Sequence, residues 1–303
     1  MASVGQIRYD ERDLEARDRR RQGRNTLFLT MVGISSALAA LLILGIIGTI
    51  LIKGAPAITW DFLSKPPEEG MSQGGIWPMI RGSLLLMAGT LVIVPLIGIM
   101  GGIWLAEYSS EGPLPKIMRA CITSLAATPS IIYGLFGLAI FVLKFKLGTS
   151  LVAGWLTLSM MSVPVVVLTT ENAIRAVPDS FFTGAVSLGL SKWQAIRRVI
   201  LPNAVPGIVT GFVLAAGRAV GEAPPILLTA GLYYSTEKLT LDWDTLKKPV
   251  ANLPYHLAEG YRQGGVIPEK IIWGTCLALM MFVLLINLGA IVVRSRARAK
   301  QRW

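Results

Sequence analysis

The sequence predicts an all-α membrane protein of about six transmembrane helices, and three observations carry that reading. Of its 303 residues 53% are hydrophobic and only 16% are charged, with a mean hydropathy of +0.58. That is too apolar for a water-soluble domain of this length. The runs 27–52, 82–106, 120–143, 147–170 and 271–293 contain no Asp, Glu, Lys or Arg. Each is long enough to cross a hydrocarbon core of roughly 30 Å, which takes about 20 helical residues. A sixth apolar run, about 204–232, is interrupted by Arg218 and Glu222.

In chain order, residues 1–25 form a tail, RYDERDLEARDRRRQGR at its centre, in which seven Arg alternate with five acidic residues. Such a mixture suits a solvated helix or a disordered anchor at the lipid headgroups. Residues 26–303 are expected to form one membrane domain. The first run is too long for a signal-peptide core and follows a charged tail, so it is expected to be retained. Segment 54–78 holds Pro56, Pro66 and Pro67 and reads as an external loop with a short interfacial helix around Trp60 and Phe62. Pro95, Pro129 and Pro164 lie inside apolar runs, where each removes a backbone donor and kinks a helix. A second external segment, 233–269, carries Trp243, Tyr255 and Tyr261 among charges. It either faces a soluble partner or rests its aromatic rings at the membrane interface.

The basic residues orient the chain, because Lys and Arg are enriched in short cytoplasmic segments. With both termini in the cytoplasm, eighteen of the 29 Lys and Arg residues lie inside, among them Lys116, Arg119, Arg175, Lys192, Arg197 and Arg198. A net charge of +11 distributed around membrane spans matches anionic headgroups, and no basic-aromatic surface accompanies it, so nucleic acid is not an expected partner. Cys121 and Cys276 fall in apolar runs and make no disulfide framework. His256 is the only histidine, which excludes a histidine-based metal cluster or a catalytic triad within this chain.

The longest polar connection, about 173–203, is expected to face the cytoplasm. From Ser180 to Val199 its apolar positions recur at helical intervals, with Gly189 and Pro202 as punctuation. This predicts two short helices with a turn at Gly189 to Ser191, Ser191 capping the second. An amphipathic bracket of this kind seats in a groove of another protein or lies flat on the membrane.

In the sixth run Arg218 and Glu222 are four residues apart, on one helical face and near mid-membrane. Ionisable side chains at that depth cost at least about 2.5 kcal/mol each on insertion scales and normally face a pathway or a partner. Either the two neutralise each other and hold the helix in place, or the guanidinium offers planar donors to an oxyanion while Glu222 orients or releases it. Pro224 and Pro225 predict a helix break just beyond Glu222. Glu171 and Arg175 repeat the spacing at the cytoplasmic end of the run before the bracket.

The bracket resembles the coupling loop of importer-type ABC permeases, E-A-A, three residues, Gly, nine residues, then I-x-L-P. Gly189 is followed after nine residues by Val199, Ile200, Leu201 and Pro202, while Thr183, Gly184 and Ala185 stand where that pattern has E-A-A. The usual glutamate is therefore missing. RAVGEAPPILLTAG, TTENAIRAVP and PVANLP are similar to stretches of phosphate-specific permeases of the PstA type, a similarity running through much of 162–254.

The resemblance implies a type I ABC importer permease-like fold in a bacterial cytoplasmic membrane. It further implies phosphate import by a heterodimer with a PstC-type permease, two ATP-binding subunits and an extracytoplasmic phosphate-binding protein. Arg218, Glu222, Arg175 and Glu171 would then lie on the anion path or its gate. Thr183, Gly184, Ala185, Gly189, Leu201 and Pro202 would dock the ATPase. The residues separately require an external energy source, since the chain has no Gly-Lys pair and so no P-loop. ATP and magnesium would be bound by the partner ATPase, with no cofactor and no catalytic residue in this chain. Import of another oxyanion, sulfate or molybdate, and a non-transporting membrane scaffold or sensor remain as alternatives.

Overall fold

The computed structural model describes residues 11–109, 112–232, 243–262, 265 and 267–299. Parts of the expected tail (1–10) and of the second external segment (233–242 among them) lie outside the described residues, as do 300–303. The chain divides into two units, Met1–Lys53 and Gly54–Trp303. The first is a single helix, α1 (Glu11–Gly54), that carries the charged sequence without interruption into the first apolar run.

The second unit opens with α2 (Trp60–Ser64), the expected interfacial helix. Thr59 caps it by accepting from Phe62 N, and Phe62 turns inward while Trp60 stays exposed. A small hairpin of β1 (Pro67–Glu68) and β2 (Gln73–Gly74) leads to α3 (Trp77–Ile103), whose last turn widens into π-helix over Trp104–Tyr108. Pro95 is accommodated within α3.

The run expected as one span at 120–143 is broken. It forms α4 (Pro113–Ala126) and α5 (Ser130–Gly137, continued as π-helix over Leu138–Lys144), bent by 101°. Pro129 accounts for the corner, since its ring disfavours helix in the residue before it and its own ψ of 139° is extended. Among the described residues, five helices are long and apolar enough to span a membrane, six if this bent pair is one span.

Next come α6 (Leu151–Arg175), capped by Ser150 and running through Pro164 without a break, and α7 (Asp179–Ser187). Helix α8 (Lys192–Ala195) passes through a π-helical turn, Ile196–Ile200, into α9 (Leu201–Gly221). After Glu222, α10 (Pro224–Thr229) and β3 (Gly231–Leu232) follow. Helix α11 (Trp243–Leu246), β4 (Val250–Ala251), α12 (Leu253–Arg262) and α13 (Glu269–Ala299) complete the unit.

Helix α6 is the most enclosed span. Val166 meets Val94 of α3 and Ala215 of α9, Leu158 and Met161 pack with Leu86 and Tyr133, and the Trp155 indole donates to Leu85 O at 2.8 Å. The second external segment is only partly a surface. Trp243 and Tyr261 are exposed, but Val250 to Pro254 are buried, because β4 pairs in parallel with β3 and Leu253 N donates to Ser83 Oγ at 2.9 Å. PVANLP is thus packed into one end of the bundle, while Trp243 and Tyr261 of the same segment remain on the surface. Leu253→Ala, which empties a fully enclosed site, is expected to lower stability by about 3 kcal/mol, read as a reduced unfolding temperature in detergent.

Candidate functional site

Two charged stations lie along α6 and α9, and a bracket lies at their shared end. At the first station Arg218 Nε donates to Glu222 Oε1 at 3.2 Å, both side chains partly buried. Arg218 occupies the last turn of α9, where the helix dipole favours a cation. Glu222 is already extended, at φ −84° and ψ 121°. The helix breaks there because two prolines follow at once, as the sequence predicts. The carboxylate therefore sits on the first extended residue past the helix end, while the guanidinium sits in the helix's last turn.

Tyr133 lies near Arg218, and Asn287 of α13 packs against the adjacent Gly217. The Tyr133 hydroxyl donates to Leu125 O at 2.7 Å. Asn287 brings its Oδ1 to 2.9 Å from where a Cβ on Gly217 would stand. Sequence reasoning passed over Asn287, although a single amide in an otherwise apolar run was a visible signal.

The second station has three members and not two. Glu171, its side chain only 5% exposed, accepts from Arg175 Nε at 3.0 Å and from Arg119 Nε at 2.6 Å. Both guanidiniums also donate through Nη2 to Leu105 O, at 3.0 Å from Arg119 and 3.3 Å from Arg175, and Arg119 reaches Ser109 Oγ at 3.2 Å. One buried carboxylate and one carbonyl of the π-helical turn thereby fasten α3, α4 and α6 together. The sequence had counted Arg119 only as a topological charge, because its partner lies 52 positions away.

The four charged residues proposed for one path do not form one cluster. Ala173 and Thr169 lie against Gly207 and Gly211, so Glu171 is level with the residue between them. Arg218 lies about 13 Å further along, at 1.5 Å per residue.

In the bracket, α7 ends in a Schellman turn. Gly189 N donates to Val186 O at 2.9 Å and Leu190 N to Ala185 O at 3.2 Å, with Gly189 at φ +81°, a conformation that favours glycine. Ser191 and Gln194 then form a reciprocal capping box at the start of α8. Thr183, Gly184 and Gly189 are exposed and Ala185 is buried. Leu188 stands 85% exposed at the tip beside Val186 and Trp193. Underneath, Phe181 and Phe182 pack with Ile174, Ile200, Ala204 and Ile208.

The second helix does not stop at Pro202. Lys192–Gly221 is one continuous span, Leu201 is helical, and Pro202 stands at the start of α9, where a missing N–H costs least. Lys192 donates to Glu107 O and lies 4.9 Å from the centre of the Tyr108 ring, so the bracket holds the end of α3 directly.

A bundle of apolar helices with a charged pair along one of them, and an exposed amphipathic bracket rigidly joined to that same helix, has the form of a permease subunit. Comparison with known proteins agrees. Residues 98–299 match the family described as "Binding-protein-dependent transport system inner membrane component".

The chain is 33% identical over 271 residues, 86% of this chain and 91% of the relative, to the probable ABC transporter permease protein YqgI of Bacillus subtilis (strain 168). It is 34% identical over 274 residues, 89% of this chain and 94% of the relative, to the phosphate transport system permease protein PstA of Pasteurella multocida (strain Pm70). A crystal structure of a bacterial ABC transporter involved in the import of the acidic polysaccharide alginate shares the fold, with a TM-score of 0.60 and 16% identity over 94% of this chain and 99% of that one. The chain belongs to the family of inner membrane components of binding-protein-dependent transport systems.

Glu171→Ala would leave two partly exposed guanidiniums side by side with their shared carboxylate gone. It is expected to cost about 1 to 3 kcal/mol, water screening the arginines, seen as a lower unfolding temperature in detergent. Arg175→Ala, which leaves Glu171 its closer partner Arg119, is expected to cost less in the same assay.

Proposed function

We propose that this chain is the permease subunit through which an ATP-driven importer carries inorganic phosphate across the cytoplasmic membrane. The observation that carries the reading is the Arg218–Glu222 pair, a guanidinium in a helix's last turn bonded to a carboxylate on the extended residue past its end. Its support is the 34% identity to a phosphate permease over most of both chains. A guanidinium has five N–H donors, and one of Arg218's is engaged by Glu222. The carboxylate blocks an anion as long as it stays in place. Rotation between Gly221 and Pro224 would withdraw Glu222 and leave the donors of Arg218 to a phosphate oxyanion.

In this reading the bracket is the input. The chain pairs with a PstC-type permease, and two ATP-binding subunits, holding ATP and magnesium, seat on the bracket around Gly189. Hydrolysis happens there and not in this chain. An extracytoplasmic phosphate-binding protein delivers the substrate to the opposite face, and both termini are cytoplasmic. Because α8 continues into α9 without a joint, displacement of the bracket is carried along the helix that bears Arg218.

The test is ATP-dependent uptake of labelled phosphate into proteoliposomes holding this chain, a PstC-type partner, the ATPase and the binding protein, with unlabelled sulfate as competitor. Uptake should require this chain and be indifferent to sulfate; inhibition by sulfate would reassign the substrate. Arg218→Ala is expected to abolish uptake with assembly intact, and normal phosphate uptake by that variant would remove Arg218 from the path. Gly189→Asp forces a branched side chain into a left-handed turn at the docking tip and is expected to reduce co-purification of the ATPase, against an unchanged yield if the tip is not the docking point.

A further inference from the structure

The π-helical turn that ends α3, Trp104–Tyr108, is held by side chains from three other helices. Its Leu105 carbonyl takes Nη2 of Arg119 from α4 at 3.0 Å and Nη2 of Arg175 from α6 at 3.3 Å. Ser109 Oγ, just past the turn, donates to the same oxygen at 2.6 Å. A carbonyl oxygen has two lone pairs, so three donors crowd it. Two residues further on, Glu107 O accepts from Lys192 Nζ, and the same ammonium lies 4.9 Å from the centre of the Tyr108 ring.

Lys192 is the first residue of α8, directly after the Ser191 that caps it, and α8 runs on into α9. The residue is exposed, and a contact of this kind in water adds little to folding stability. A lysine serving only the fold would therefore matter little here. What sets it apart is what it joins. It links the bracket to a turn 85 positions earlier in the chain, and that turn is bonded to both arginines that hold Glu171. From Lys192 through Glu107 and Leu105 to Arg119, Arg175 and Glu171, the bracket and the clamp are connected without a gap.

We propose that Lys192 is a positioning residue for transport, tying the bracket to the π-helical turn so that a displacement of the bracket resets the Arg119–Glu171–Arg175 clamp together with α9. The inference rests on the reading of the bracket as the ATPase docking point and adds a second arm to it. Helix α9 carries the displacement along its own length. The lysine carries it across to the ends of α3, α4 and α6, and both arms have to move for hydrolysis to drive uptake. Cutting the lysine leaves the ATPase docked and hydrolysing while fewer anions cross per ATP.

The test is anion taken up per ATP hydrolysed by the complete reconstituted complex, comparing K192M, K192R, R119K and K192M/R119K with the parent. Labelled phosphate is the probe, replaced by labelled sulfate if the parent carries that instead. K192M should assemble, retain its ATPase on co-purification, unfold at the parental temperature, and lose about fivefold or more in uptake per ATP. K192R, which keeps a cation able to donate and to sit on the Tyr108 ring, should stay within about twofold of the parent. R119K keeps a cation for Glu171 but gives up the Nη2 bond to Leu105 O, and it should lower the ratio as well. Because both changes cut one route, the double variant should fall no further than the worse single. A parental ratio in K192M or in R119K would overturn the proposal, as would losses that multiply in the double variant or a K192R as defective as K192M. Loss of the ATPase from K192M would also overturn it, making Lys192 a docking contact. If Gly189→Asp sheds the ATPase while K192M couples normally, this inference alone fails. If Gly189→Asp keeps the ATPase and couples normally, the docking reading fails with it.

Discussion

The close apposition of α9 on α6 is the constraint on which the rest of the structure depends. Two glycines on α9, at 207 and 211, let its backbone come so near that an added methyl would overlap Ala173 or Thr169. Small residues at helix crossings are the usual means of tight packing where lipid offers no hydrophobic drive between helices. Tightness also removes freedom to slide, since a shift of one turn would press the glycine stripe against larger neighbours.

The bracket's second helix and Arg218 belong to one continuous helical span, Lys192–Gly221. The bracket is built from local devices, a Schellman turn at Gly189 and a capping box at Ser191, that stiffen it without help from the rest of the chain. Helix α8 then runs through a π-helical turn into α9 with no loop between. A π-helical turn is a common functional feature of helices, and here two others sit where α3 and α5 end. That on α3 exposes Leu105 O to both arginines of the second station. Lys192 ties the start of α8 to the same segment. The bracket is thus joined both to α9 and to the clamp that fastens α3, α4 and α6.

The two stations differ in kind. Glu171, nearly enclosed and bonded to two guanidiniums, is a fastening whose loss leaves charges stranded. Arg218 and Glu222 form a single 3.2 Å contact across a helix end, with the carboxylate on extended backbone. Both pairs have the i, i+4 spacing. Their difference lies in the neighbours that α3 and α4 bring to one and not to the other.

Much of this protein was legible in its sequence because the signals were local. Runs of twenty uncharged residues mark membrane-inserted helix, a glycine followed by a serine able to cap the next helix marks a turn, and Pro224 with Pro225 end α9. Two of the departures are local, at prolines, and the others involve residues distant in sequence. Pro129 was read as a kink and is a 101° corner, Pro202 was read as punctuating the bracket's helical run and lies at the start of α9 within a continuous span, and the PVANLP stretch of the second external segment is buried. Arg119 acquires its meaning only from Glu171 on another helix, and helical periodicity says which face a residue occupies but not what that face meets. The sequence by itself determined the spans, their caps and breaks, and the depth of the charge. Tertiary structure alone decided which charges are clamped and which form a lone pair, because that depends on side chains brought from up to 70 positions away.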